Sequence, residues 1–148
     1  MGKIKGKIGY TTGVFDMFHV GHLNILRQAK EQCDYLIVGV SSDELVSSYK
    51  NKIPIIPFEN RKEIVSSIKY VDEVVVQSHR DKMKSFKEIG FDVMFVGDDW
   101  KGSELFLSLE EELLKNGASI FYFPYTKNIS STSLRDRIKM LYGDKKIK

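Results

Sequence analysis

Short apolar runs alternate with longer stretches of helical periodicity along nearly all of this 148-residue chain, and that alternation constrains the fold more than any other feature. The runs at 8–11, 35–40, 73–76, 92–96 and 119–123 are brief and largely β-branched or aromatic. Such composition suits strands covered on both faces. Between them, 22–33 places Leu23, Leu26, Ala29 and Cys33 three or four residues apart, on one helical face. The stretch 59–70 repeats Ile64, Ile68 and Val71 in the same way, and 103–116 stacks Leu105, Leu109 and Leu113 before Gly117, where a helix-ending glycine belongs. A last helix is expected over 131–142, with Leu134, Ile138 and Leu141 facing inward.

Strand–helix alternation predicts right-handed βαβ units. The expected class is α/β: a Rossmann-like, open, parallel five-stranded sheet with helices on both faces. There is no repeat, linker or low-complexity tract, so one domain with a core at about 8–142 is expected. Such sheets bind ligands at the carboxyl ends of their strands, where strand order reverses. The stretch 49–58, with Pro54 and Pro57, is expected to be a long irregular loop over that end.

Composition removes several function classes. A net charge of only +3 offers no bulk electrostatic case for nucleic acid, although a local basic patch can still serve a small anion. The single cysteine, Cys33, excludes an internal disulfide and suits a reducing compartment. No apolar run is long enough to span a bilayer, and no apolar segment follows the early lysines as a targeting signal requires. A cytoplasmic protein is expected, with loose basic tails at 1–7 and 143–148.

The first strand-to-helix loop reads Gly13-Val14-Phe15-Asp16-Met17-Phe18-His19-Val20-Gly21-His22. Helix N-termini present unpaired N–H groups and the positive dipole end, which attract anions. Gly21 allows a phosphate to approach the backbone, and Gly13 lets the strand end pass close to a nucleotide. His19 and His22 are expected on one side of the first turn, aimed at the same anion. The alternative is a core histidine at 19 and an ordinary first-turn residue at 22. A metal site would need a third ligand; the only other histidine, His79, lies in a different loop, so no protein metal site is expected.

The segments Gly13-Val14-Phe15-Asp16 and His19-Val20-Gly21-His22 resemble the signature of the nucleotidyltransferase superfamily with an HxGH motif. Three further segments are similar to the glycerol-3-phosphate cytidylyltransferase group: Tyr70-Val71-Asp72-Glu73-Val74, Gly97-Asp98-Asp99-Trp100 and Ile129-Ser130-Ser131-Thr132. The resemblance runs from about Ile8 to about Ile138. It implies CTP as substrate, a phosphorylated alcohol as acceptor, Mg²⁺ carried on the phosphates, and a homodimer.

The resemblance also implies roles. His19 and His22 hold the triphosphate, together with Gly13, Val14, Phe15, Lys52, Asp98, Ser130, Ser131 and Thr132. Lys50 contacts the transferring and acceptor phosphates, and Lys82 and Trp100 reach the acceptor. Each residue has a plainer reading: Lys50 and Lys52 as solvated surface cations, Ser130 to Thr132 as helix caps, Asp98 and Asp99 as a turn, and Trp100 as core. Asp16 is expected to orient its loop. Arg61 and Tyr70-Val71-Asp72 are expected to brace the sheet and a dimer contact. Two departures stand out. Val14 replaces a threonine, as in the choline- and ethanolamine-phosphate enzymes. Tyr125 replaces an arginine, with Lys127 nearby and Asn128 in place of glycine. Adenylyl transfer to a cofactor precursor and a non-catalytic nucleotide-binding module are the competing functions.

Overall fold

A computed structural model of the chain describes residues 6–124 and 130–143. The elements run β1 (Ile8–Gly13), α1 (Val20–Glu31), β2 (Tyr35–Ser41), α2 (Asp43–Lys50), α3 (Phe58–Ser66), β3 (Glu73–Gln77), α4 (Lys82–Ile89) and β4 (Val93–Gly97). A 3₁₀ turn (Asp98–Trp100), α5 (Glu104–Lys115), β5 (Ser119–Phe123) and α6 (Ser131–Tyr142) complete the chain. The five strands form one parallel sheet in the order β3-β2-β1-β4-β5. Chain order reverses between β1 and β4, so a crevice opens there at the carboxyl ends of the strands.

Alternation along the strands divides the core into two layers. Leu36, Val38 and Val40 of β2 and Val93 and Phe95 of β4 meet Leu26, Ala29 and Cys33 of the α1 region and Val65 of α3. On the opposite face, Tyr10, Ile37 and Met94 pack on Phe106, Leu109 and Leu113 of α5, with Met83 and Phe86 of α4 alongside. Backbone crowding at Gly9 is severe: a Cβ there would sit 2.5 Å from the Phe95 ring and 2.8 Å from Cys33 Sγ.

Helix faces differ from expectation in three places. In α3 the buried positions are Arg61 and Val65, while Ile64 is exposed, and the helix stops at Ser66. In α5 Phe106 takes the inward place expected of Leu105, which is 68% exposed. The proposed inward face of α6 is not buried: Ile138 and Leu141 are exposed. Periodicity identifies an apolar stripe but not the neighbour that covers it. Two short helices, α2 and α4, carry too few turns to show a period and were not foreseen. As α2 ends at Lys50 and α3 begins at Phe58, the irregular segment is only 51–57. Gly117 takes the left-handed conformation expected after α5, with φ +81. Most of both tails, 1–5 and 144–148, lies outside the described residues.

Candidate active site

The loop from β1 to α1 is held in an unusual backbone path. Phe15 and Met17 both have positive φ, at 56° and 49°, on either side of Asp16. Non-glycine residues adopt this region only when the surroundings compensate. Here the Phe15 ring is buried in the core and the Asp16 carboxylate turns inward. Its two oxygens accept from the N–H groups of Ile55 (2.9 Å) and Ile56 (2.9 Å), and Arg135 of α6 pairs with it at 2.6 Å. Ser131 Oγ donates to the Asp16 carbonyl at 2.6 Å. Asp16 therefore orients its loop, as expected, and also ties the start of α6 to it.

Arg61 is the second organiser. Its side chain is fully buried, and it donates to the carbonyls of Val14 (2.7 Å), Ser41 (2.8 Å) and Ile56 (2.8 Å). It also pairs with Asp43 at 2.6 Å. One guanidinium thus fixes the chain as it leaves β1 and β2 and enters α3. Asp72 braces the opposite ends of the strands: it accepts from Leu36 N–H (2.8 Å) and pairs with Lys30 of α1.

His19 and His22 cap α1 reciprocally. His19 Nδ1 accepts from Gly21 N–H (3.0 Å), and His22 Nδ1 accepts from His19 N–H (3.1 Å). Acceptance at both Nδ1 atoms assigns the proton of each neutral ring to Nε2. The rings stack, with centroids 3.9 Å apart. Burial, then repulsion from His19, lowers the His22 pKa to about 4; burial lowers that of His19 as well. Both rings are therefore neutral Nε2–H donors at pH 7. Among the described residues, His19 Nε2 is the one buried side-chain nitrogen or oxygen without a hydrogen-bond partner. Such an atom is rare in a folded protein.

A cleft of about 860 Å³ runs over the carboxyl ends of the strands. It brings together Gly13, Val14, Phe15, His22, Lys50, Lys52, Lys82, Trp100, Ser130, Ser131 and Thr132. His19 and Asp98 are not on its wall; His19 stands behind His22 in the stack, and Asp98 is exposed in the 3₁₀ turn. Gly13 has a packing reason for its identity, since a Cβ there would lie 3.0 Å from the Phe15 ring. Ser130 caps α6 through its hydroxyl. Trp100 is not core: it is 42% exposed and stacks on Phe106 at 5.4 Å. Residues 125, 127 and 128, where the sequence departs from its resemblance, lie outside the described residues.

Five cations line this cleft: Lys50, Lys52, Arg80, Lys82 and Arg135. Burial lowers the pKa of Lys50, with Lys52, Arg135 and Arg80 adding repulsion; burial and then Arg80 lower that of Lys82. Of the three carboxylates on the wall, Asp16 is committed to Arg135 and two amides, Asp81 caps α4, and Glu112 is exposed on α5. The first turns of α1, α4 and α6 hold no acid, whereas those of α2, α3 and α5 do; of the first three, only α4 has a carboxylate cap, Asp81. The positive ends of α1 and α6, which have no carboxylate at the cap or in the first turn, are thus left to attract an anion, whereas Asp81 occupies that of α4. Arg80, Arg135, Tyr49 and Gln77 were missed in the sequence. Arg135 was findable, because it lies four residues after Ser131 on one helical face; Arg80 follows β3, at the end where ligands bind.

Comparison with known proteins agrees with this geometry. The family model described as cytidylyltransferase-like matches residues 10–137. Glycerol-3-phosphate cytidylyltransferase of Bacillus subtilis (strain 168) is 36% identical over 129 residues, covering 86% of this chain and 94% of that protein. An FAD synthase of Thermococcus kodakarensis is 42% identical over 127 residues, 83% of this chain and 81% of that one. Among solved structures, the lipopolysaccharide core biosynthesis protein of Thermoplasma volcanium superimposes with a TM-score of 0.67 at 30% identity. That match covers 83% of this chain and 98% of that one. A family match across most of the sequence, on a parallel sheet whose switch point carries the stacked histidines, makes this chain a member of the cytidylyltransferase-like family.

Proposed function

We propose that the cleft transfers CMP from CTP to a small phosphorylated alcohol, glycerol 3-phosphate or a close relative, and releases pyrophosphate. A phosphate oxygen of the acceptor attacks the α-phosphorus of CTP. The new P–O bond forms as the bond to the β-phosphate oxygen breaks, so a CDP-alcohol and pyrophosphate result. The observation that carries this reading is the stacked pair of neutral imidazoles at the α1 N-terminus, one with an unpartnered buried Nε2, beside a cleft rich in cations. The glycerol-3-phosphate cytidylyltransferase relative supports CTP and this acceptor class.

Work of this kind is positioning and charge stabilisation. In the proposal His19 and His22 donate Nε2–H to the triphosphate and to the departing pyrophosphate. Lys52, Ser130, Ser131, Thr132 and the backbone of Gly13 to Phe15 hold the nucleotide; Asp98, although off the cleft wall, is assigned to the nucleotide by the family resemblance. Lys50 follows the transferring phosphoryl group, while Lys82 and Trp100 face the acceptor. Among the described residues no group of three His, Cys, Asp or Glu side chains is placed to hold a metal. In this proposal Mg²⁺ is carried on the phosphate oxygens of the nucleotide, as the family resemblance implies, where it neutralises charge. The proposal includes one domain, a homodimer joined near α1, where Val20 is exposed, and a cytoplasmic setting suited to the buried thiol of Cys33. No helix among the described residues is long and apolar enough to cross a membrane.

Adenylyl transfer from ATP is the second reading, favoured by the FAD synthase relative. Pyrophosphate release, measured with CTP or ATP against a panel of phosphorylated alcohols in the presence of Mg²⁺, separates the two. Release with CTP and glycerol 3-phosphate is expected, and His22→Ala should lower kcat roughly 100- to 1000-fold. Silence of the wild-type protein across the whole panel would overturn the proposal.

A further inference from the structure

Two cations from different elements meet on one aromatic ring inside the cleft. Arg80, in the turn after β3, places its guanidinium carbon 4.2 Å from the ring centroid of Tyr49 near the end of α2. Lys50 Nζ lies 5.7 Å from the same centroid. All three residues line the cleft. No carboxylate among the described residues pairs with Arg80 or Lys50. The turn that presents Arg80 is braced on both sides. His79 Nε2 pairs with Glu88 at 2.8 Å, His79 Nδ1 accepts from Asp81 N–H at 3.2 Å, and Asp81 caps α4. Behind it, Ser41 Oγ donates to Gln77 Oε1 at 2.7 Å across the paired ends of β2 and β3.

Position in the sheet assigns this cluster to one substrate. The helix N-termini at the cleft with no carboxylate at the cap or in the first turn belong to α1 and α6, and α6 is tied at Asp16 to the loop that leads into α1. Arg80 leaves β3, the edge strand two places from β1 on the side away from β4. An anion held there lies beside the polyphosphate rather than within it. A guanidinium lying on a ring keeps its edge N–H groups free, and that edge matches two oxygens of one phosphate.

Resting on the cytidylyl-transfer reading, the geometry points to Arg80 as the residue that holds the attacking phosphomonoester, with Tyr49 as the positioning residue that holds Arg80. A phosphomonoester dianion has three terminal oxygens. Two occupy the guanidinium fork, and the third is left to attack. Lys82, which also lines this end of the cleft, adds charge without fixing the angle.

Initial rates of pyrophosphate release test this, with glycerol 3-phosphate varied at saturating CTP and CTP varied at saturating glycerol 3-phosphate. Arg80→Ala should raise the acceptor KM roughly 10- to 100-fold while the CTP KM moves less than about threefold, because a charged contact to one substrate alone is lost. Tyr49→Ala should raise the acceptor KM in the same direction by roughly 3- to 10-fold, and Tyr49→Phe should restore it, since the ring and not the hydroxyl carries the stack. In the double variant Arg80→Ala/Tyr49→Ala the two effects should not multiply. Equal rises in both KM values, or no rise in either, would overturn the inference while leaving the transfer reading intact. A wild-type protein that releases no pyrophosphate with any phosphorylated alcohol overturns both.

Discussion

Arg61 has no exposed side-chain surface, yet it carries a charge and four hydrogen bonds. Three of those bonds end on backbone carbonyls, of Val14, Ser41 and Ile56, at the places where the chain turns to build the cleft. Replacing it with Met would take the guanidinium from those carbonyls and leave Asp43 with only the Phe58 N–H. Loss of one member of a buried charged network costs about 3–5 kcal/mol. Urea denaturation of Arg61→Met should show a fall of that size; a loss below about 1 kcal/mol would mean that water replaces the guanidinium. Asp16 is the matching acid. Asp16→Asn keeps one carbonyl oxygen for an amide but loses the ion pair to Arg135, so α6 should detach first. Faster amide hydrogen exchange in α6 than in α1 is the expected outcome, and uniform exchange would argue against it.

At the scale of elements, α1 begins on a capping box made of two histidines, and this makes its start sensitive to acid. The sign follows from the lowered pKa of His22. The unfolded chain takes up a proton near pH 6.5, whereas the folded chain resists until about 4, because burial and His19 disfavour the charge. Stability is therefore complete above about 6.5 and falls as pH drops toward about 4, by on the order of 3 kcal/mol from this group. Protonation would place a hydrogen on Nδ1, which now accepts from His19 N–H, and so break the cap. Melting temperature measured from neutral to mildly acidic buffer should decline through that window, and His22→Ala should flatten the decline. An unchanged slope in His22→Ala would assign it to other groups. The sequence places both imidazoles at the helix start but not their hydrogen bonds: each spends Nδ1 on the cap and has only Nε2 for a ligand.

For the whole molecule, the cleft joins pieces that are far apart in sequence. A nucleotide at the β1–β4 switch point would bridge the starts of α1 and α6, and so stabilise the fold by mass action. At a CTP concentration 100 times its Kd the gain is about 2.7 kcal/mol. A thermal-shift titration should show this for CTP, less for ATP, and much less for CTP with His19→Ala/His22→Ala. Equal shifts in wild type and double variant would remove the histidines from the site. High salt should weaken the shift, because the cations on the cleft wall lie near solvent.

Much of the architecture was legible from local pattern. All five strands were located to within a residue or two, because a strand buried on both faces must be apolar along its length. The starts of α1 and α6 were legible as well, because cap residues announce themselves. Strand order, the inward face of α3 and α5, and the exposure of α6 were not, since each depends on which neighbour arrives to cover a stripe. The same division holds in the site. His19, His22, Lys50, Lys52 and Ser130 to Thr132 could be named from spacing and resemblance, because their chemistry is local to one loop or one helix start. Tyr49, Arg80 and the partners through which Arg61 and Asp16 brace the fold came only from tertiary structure. A cation becomes a clamp, and a carboxylate a brace, only when folding sets a distant ring, carbonyl or amide against it.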